Sequence, residues 1–557
     1  MAAGTLALCG MKAGSGVWKQ AILYAIPHIP ATRRRSMHGC VAGPDLRRMI
    51  QLLVIRRLPT AQLVPKTDRT SRLVTLLRIR KGMIKRGQLS ISLKLQKLLA
   101  SQIKCNMRIL VPTFSYRLLF YTVLGTVACD LLLTAGFMLL RIPPAGFGIP
   151  INQIVLVTAL SLILISGRST FRITETLPFA LLYCLWVLAA AQLFVGVRTT
   201  GAWAVRDAAN MIETGFFFVG FCLAADSRFL TSFRKWVAAT FLAAAIYLLL
   251  YPVRDNLAPF SPSISSMSGY QLPLFFHFGN PASIGVTSIC YLLLMKGWST
   301  PIRLALAGAV VMCLLVFVQA RITYLHLIFL VILFAIFERR QLKNLFLMGS
   351  IALLLIALFV MSGIQLPGRL GHTFSFDLLI SHFQAIWGGG GQQTRDAAEG
   401  VDLRLSWWIE IHHNLLRNLQ TWFFGLGYGM PLTSFRGISD DIVREPHNSY
   451  ISIYGRLGVL GITLFLLYLA TILRETIRLI ELSRRTGATD LYVIAMTLFC
   501  FFGVHIIYAV AEGGFEVSFI AVPFYTFSGI VVAMRQNVAN ELRLSERTRL
   551  PPLPLTV

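Results

Sequence analysis

The sequence predicts an all-α polytopic membrane protein of about twelve transmembrane helices with one large outer loop domain, and three observations lead there. Hydrophobic residues fill 55% of 557 positions and charged residues only 14%, with a mean hydropathy of +0.67. Apolar runs of bilayer length recur along the chain. Positive charge gathers on alternate connections, the pattern of chains oriented by the positive-inside rule. A formal charge of +28 would suggest nucleic acid in a soluble protein. Here about twenty Lys and Arg precede Met107, opposed only by Asp45 and Asp68, and most others flank apolar spans. Membrane lipid is therefore the expected partner, and nucleic acid is not. The nine cysteines lie in the basic leader or inside apolar runs without a CxxC pair, which indicates neither a disulfide framework nor a zinc site.

Residues 1–106 form a basic leader with Arg33-Arg34-Arg35 and no sustained apolar run of spanning length. Three readings stay open: a basic arm touching anionic lipid, a transit-like segment rich in Arg and poor in acids, and an upstream extension of a chain that truly starts at Met107. Residues 107–363 hold nine apolar runs, at about 118–140, 151–167, 176–197, 207–225, 234–252, 272–296, 302–319, 321–338 and 344–363. Residues 364–446 form a long loop, in which Gly388-Gly389-Gly390-Gly391 and the mixture of Trp407, Trp408, Glu410, His412 and His413 imply a small lid with amphipathic or interfacial helices. Residues 447–534 supply three more runs, at about 447–473, 490–511 and 515–534, and 535–557 form a basic tail. Arg168, Arg172, Arg228, Arg234, Lys235, Arg339, Arg340, Arg484 and Arg485 fall on the side of that tail, which makes it cytoplasmic and puts both termini inside.

The chemistry-bearing candidates fall on the other side. Pro446 suits the first turn of a helix, so a helix is expected from about there through Leu473, with His447 at its mouth. At ~100° per residue Gly458 and Gly461 return beneath His447, roughly 16 to 21 Å deeper if the helix is continuous, where small residues let a neighbour approach. Arg456 falls on the opposite side. A helix cap with a packing motif explains the run as well as a proton-transfer site does. Arg141, Arg198, Arg206, Arg254 and Arg321 are outer-side cations that go against the general bias. Snorkelling to headgroups explains each alone, and Arg206 has the option of pairing with Asp207. Arg321 and Arg206 at the depth of His447 would also suit a pyrophosphate, whose oxygens match guanidinium forks. Asp130, Glu213, Glu512 and Glu516 are acids in or near spans and are candidate relay groups of a transporter, with an interior polar contact as the alternative for Asp130. His412 and His413 adjoin Glu410, but no third ligand stands at a diagnostic spacing, so no metal is expected. The Gly425-Leu426-Gly427-Tyr428-Gly429 run lacks the surrounding βαβ pattern of a nucleotide site and reads as a tight turn.

His447-Asn448, nine residues, then Gly458-Val459-Leu460-Gly461 resembles the H-[N/S/Q]-x9-G-x-x-G signature of the O-antigen ligase and Wzy-type polymerase superfamily. Gln319-Ala320-Arg321, the stretch from Arg404 through Trp408, and Phe424-Gly425-Leu426-Gly427-Tyr428-Gly429 resemble further parts of that pattern in the same order, and the similarity covers roughly 118–534. The resemblance implies glycosyl transfer on the periplasmic side of a bacterial inner membrane. The donor would be a glycan on undecaprenyl pyrophosphate, and the acceptor a sugar hydroxyl on lipid A-core for a ligase or on another lipid-linked glycan for a polymerase. It implies His447 as general base, Arg321 and Arg206 on the pyrophosphate, Asn448 and Arg404 as acceptor or structural support, Gly458 and Gly461 as packing residues, and no metal or cofactor. The rival from another class is a polysaccharide transporter or export channel, which calls for an internal repeat and broken helices with Asp130, Glu213 and Glu512 converging.

Overall fold

The computed structural model describes residues 116–143, 148–166, 173–226, 228–265, 271–362, 395–435 and 444–549; the leader, Gly388 to Gly391, and Asp440 and Asp441 lie outside the described residues. The helices are α1 (Tyr116–Met138), α2 (Ile151–Ile165), α3 (Leu177–Thr200), α4 (Ala202–Asp207), α5 (Ala209–Glu213), α6 (Phe216–Ala224), α7 (Phe229–Leu248), α8 (Arg254–Leu257), α9 (Pro281–Leu294), α10 (Thr300–Cys313), α11 (Arg321–Phe337), α12 (Leu342–Met361), α13 (Arg395–Leu415), α14 (Leu419–Phe424), α15 (Ser449–Arg485), α16 (Thr489–Ala511) and α17 (Ser518–Arg549). Two small antiparallel hairpins interrupt this helical chain. They pair β1 (Arg141–Ile142) with β2 (Ile149–Pro150), and β3 (Ser263–Ser265) with β4 (Gln271–Pro273).

Among the described residues, eight helices are long and apolar enough to cross a membrane, rather than the twelve expected. The other four expected runs are shorter apolar helices, over Ile151–Ile165, Ala209–Ala224, Pro281–Leu294 and Arg321–Phe337. Local chemistry explains the shortening of two of them. In the run at 272–296, Phe276 takes a left-handed φ of 67°, and the Asn280 side chain accepts from the Ser283 N–H to cap α9 with Pro281 in its first turn. In the run at 207–225, turns at Ala208 and at Thr214-Gly215 split the helix into α5 and α6.

Helix α17 is the centre of the bundle: 89% of its apolar window is buried, against 22% for α3 and for Arg339–Met361. It lies against α6 with almost no side chain between them. A Cβ on Gly220 would fall 2.1 Å from the Thr526 carbonyl oxygen, and one on Gly529 would fall 2.0 Å from that of Phe217. Small residues allow such a crossing in apolar surroundings, where dispersion and close backbone approach drive helix association. Edge-to-face rings fill the centre, including Phe515 on Phe524 at 4.7 Å and Phe502 on Phe524 at 5.1 Å. Outward-facing Leu353, Leu354 and Leu358 of α12 and Phe194 and Val195 of α3 are exposed, as lipid-solvated faces must be.

Two interior acids are contacts within this packing. Asn152 donates to Asp130 at 3.0 Å, and Ser518 donates to Glu213. Helices α11 and α16 run antiparallel. Tyr492 meets the Phe337 carbonyl at one end, the Phe329 ring lies on Gly503, and Arg321 is thereby level with the last turn of α16, which leads into Glu512.

Candidate functional site

Helix α15 begins later than Pro446. Its N-cap is Asn448, whose Oδ1 accepts from the Tyr450 N–H at 2.9 Å and the Ile451 N–H at 3.1 Å, the usual work of an Asn at this position. His447 therefore stands outside the helix, on a bend with a left-handed φ of 50°. A non-glycine residue in that region stores strain and persists where its surroundings fix it. Here the Trp408 indole donates to the Pro446 carbonyl at 3.0 Å and the Trp407 ring lies 5.9 Å from the imidazole.

The imidazole has one engaged nitrogen. Nδ1 of His447 lies 3.5 Å from Oε2 of Glu512, and the His447 side chain is 51% exposed. Glu512 is in turn held by Arg404, whose Nη2 donates to Oε1 at 3.1 Å while Nη1 donates to the Ala511 carbonyl at 2.6 Å. Burial would push the Glu512 carboxyl up, but the His447 contact and the Arg404 charge outweigh it and hold it below the usual range. In the rival transporter reading Glu512 is a relay group. Its partners are instead His447 and Arg404.

Further along, α15 does not continue smoothly. Gly458 has φ 67° and ψ −166°, which breaks the helix and ends the regular periodicity that would have set Gly458 and Gly461 under His447. The carbonyls released by the break are taken up by the glycine turn after α14. Leu426 N–H donates to Gly455 O at 2.8 Å and Gly427 N–H to Arg456 O at 3.1 Å. A Cβ on Gly458 would meet the Phe423 carbonyl at 2.4 Å, so glycine is required by both conformation and space. The neighbour it admits is the end of α14 and its turn, while a Cβ on Gly461 would strike the Leu457 side chain. The tight turn expected at Gly425 to Gly429 is present, with φ of 84°, 78° and 96° at its three glycines.

That turn also closes a buried charge network. Asp207, whose side chain is 2% exposed, lies 2.8 Å from Nη2 of Arg444 and 3.0 Å from Nη2 of Arg456, and accepts from the Gly429 N–H at 3.2 Å. Arg444 also donates to Gly429 O at 2.8 Å and Arg456 to Gly427 O at 3.2 Å. The expected option of an Arg206–Asp207 pair is thus replaced by two arginines distant in sequence, and Arg456, expected to face away, closes the site from below. Arg206 stacks on Trp203 at 5.0 Å, and Arg444 lies over the same ring at 4.5 Å.

Above this network lies a small open pocket of about 40 Å³. Arg206, Asp207, Asn210, Tyr428, Glu445, Ser452, Arg456 and Glu516 are among its lining residues. Solvent reaches Glu445 from the mouth although protein surrounds it. Burial pushes its carboxyl up, and the nearby Arg456 opposes that shift. Burial and the adjacent Glu445 push the Glu516 carboxyl up as well. Burial, together with the like charge of Arg206, lowers the pKa of Arg141 on β1.

The predicted residues thus fall in two groups. His447, Asn448, Arg404, Gly458 and Arg206 converge on the start of α15 and its pocket. Arg321 opens α11 after the left-handed Gln319 (φ 47°), at the same end of the bundle. Glu445, Glu516, Asp207 and Arg444 were not picked out by sequence reasoning as site residues. The signal available was the Glu445-Pro446-His447 adjacency and an acid beside Gly513-Gly514.

Residues 304–466 match the family model described as O-antigen ligase. The stretch contains Arg321, Arg404, the glycine turn, His447 and the Gly458 break, and it places this segment in the O-antigen ligase superfamily. No curated protein matches the chain.

Proposed function

We propose that this multi-pass membrane protein is a glycosyltransferase that moves a glycan from undecaprenyl pyrophosphate to a sugar hydroxyl at the periplasmic face of a bacterial inner membrane. The observation that supports it most is the chain Arg404–Glu512–His447. A carboxylate fixed by an arginine engages one imidazole nitrogen and leaves Nε2 without a partner among the described residues, which is how a general base is oriented. The acceptor oxygen bonds to the anomeric carbon of the donor as the carbon–oxygen bond to pyrophosphate breaks. The bonding pair leaves with the pyrophosphate, and the hydroxyl proton passes to His447. Arg321 and Arg206 offset the charge that develops on the departing phosphates. The leaving group is already activated, so neither a metal nor a nucleotide is required, and direct displacement inverts the anomeric centre.

A ligase acting on lipid A-core is the leading reading. A polymerase would use the same parts with a second lipid-linked glycan as acceptor. The transporter reading is less supported, because Glu512 is committed to His447 and Arg404 rather than converging with Asp130 and Glu213. The test is transfer by purified protein supplied with lipid-linked glycan and a defined acceptor. His447→Ala should lower the rate roughly 10²- to 10⁴-fold, the usual worth of a positioned base, and normal transfer by a correctly inserted variant would sink the assignment.

A further inference from the structure

The sequence reads residues 404–429 as part of an outer lid, but their contacts follow the membrane helices down and back up. Arg404 holds the Ala511 carbonyl at the end of α16. Trp408 donates to the Pro446 carbonyl just ahead of α15, and His412 lies 3.0 Å from the Tyr454 hydroxyl in the second turn of that helix. Phe423 reaches the Gly458 break, and the Phe424 carbonyl accepts from Gln192 of α3 at 2.7 Å. The chain then climbs α3. A Cβ on Gly196 would come within 2.5 Å of the Tyr428 carbonyl, and Gly429 packs on Thr200, the last residue of α3.

At about 1.5 Å per residue, Gln192 lies about 12 Å below the end of α3, and Gly458 about 13 Å below the start of α15. Both helices are long and apolar enough to span a membrane. The tip of the dip, α14, therefore sits at the depth where α3 exposes Phe194 and Val195. Two further features fit that depth. Backbone outside a helix is tolerated in a bilayer only where protein satisfies it. Here the carbonyls of Phe424, Gly427 and Gly429 accept from Gln192, Arg456 and Arg444, and the amides of Leu426, Gly427 and Gly429 donate to Gly455, Arg456 and Asp207. The outward face of α14 is apolar: Leu419 is 74% exposed, and Phe423 one turn on is exposed with Phe424. Beside it Arg417 is exposed, and an arginine next to such a face reaches to headgroups while the face meets acyl chains.

We propose that residues 404–429 are a re-entrant part of the membrane domain rather than a lid above it, and that bilayer acyl chains cover the α14 face of Leu419, Phe423 and Phe424. The occupant is bilayer lipid, because this face continues the lipid-facing surface of α3, to which α14 is joined through Gln192. The placement is independent of the transferase reading. It ties the leaflet to the buried charges, since the turn that α14 leads into engages Arg444, Arg456 and Asp207. Lipid that holds α14 also holds that turn.

The test is photolabelling from the lipid side. Full-length protein is reconstituted in phosphatidylethanolamine and phosphatidylglycerol vesicles that contain a phospholipid with a diazirine on the upper part of one acyl chain. After illumination, adducts are located by peptide mass. Leu419, Phe423 and Phe424 should carry at least roughly a third of the label found on Phe194 and Val195 of α3, as a face at the acyl boundary would. A smaller share overturns the proposal. Hydroxyl-radical oxidation from the water side then tells what replaces it: strong oxidation of the three residues means a water-facing lid, and protection from both reagents means that a second copy of the chain covers the face. Neither readout depends on glycan transfer, so the transferase reading stands or falls separately.

Discussion

Helix α15 carries a glutamate-centred charge cluster at its far end, and its start lies against another, and the two are built in opposite ways. Toward its end, Glu475 is 5% exposed and both carboxylate oxygens are taken, one by Arg535 and one by Arg478 at 3.4 Å. Beside its start, Glu516 has an oxygen with no hydrogen bond and a second glutamate for a neighbour. The first arrangement ties α15 to α17 and leaves nothing to offer. The second is costly for the fold and makes sense where something else arrives to complete it. Along α15, then, Glu475 ties helices together, whereas Glu516 beside its start keeps an open oxygen next to the pocket.

Three measurements would break or sharpen that contrast. The largest effect is expected at the satisfied end. Glu475→Ala strands two arginines and should cost about 3 kcal/mol, the lower end for a broken buried pair because half of Arg478 is in solvent. Thermal unfolding in detergent reads it, and an unshifted midpoint would mean that the cluster does not hold the helices. Gly458→Ala comes next, at about 1–3 kcal/mol for a side chain forced into a left-handed conformation. It should also lower transfer by folded protein, because the glycine turn that seats Arg456 must move; loss of stability with unchanged transfer would detach the break from the site. The smallest effect is a pH slope. Glu516 and Glu445 bind protons more tightly folded than unfolded, so stability should fall as pH rises from the ordinary glutamate range toward their raised values. Glu516→Gln should flatten that slope, and a variant with the wild-type slope would show that the pair is ionised without penalty.

Much of this arrangement was legible in the chain, and what was not has a common cause. The apolar runs located the helices because bilayer length and hydropathy act locally. Asn448 as a cap was readable from residue type, although Pro446 drew the expected helix start too early. Its claim was weaker than that of Asn448, which satisfies two N–H groups at once. The break at Gly458 could not be read, since a glycine in an apolar run is silent until its partner is known, and the partner is a turn some thirty residues upstream in the chain. The same holds for Asp207, whose arginines lie 237 and 249 positions away. Pairings of that range leave no trace in local pattern. Two of the short apolar helices, Pro281–Leu294 and Ala209–Ala224, were misjudged in length for a local reason, the Asn280 cap and the turns at Ala208 and Gly215.

The break at Gly458 has a bearing on how such a protein can be recombined. The amides of Leu426 and Gly427 complete hydrogen bonds that belong to the backbone of α15, so the segment before His447 is not a cassette resting on a finished bundle. A chimera that exchanges that segment while keeping its own α15 inherits two orphan carbonyls. Grafts that move the turn and the first ten residues of α15 together are the ones that should assemble, which makes the pair, rather than the loop, the unit that can be transplanted.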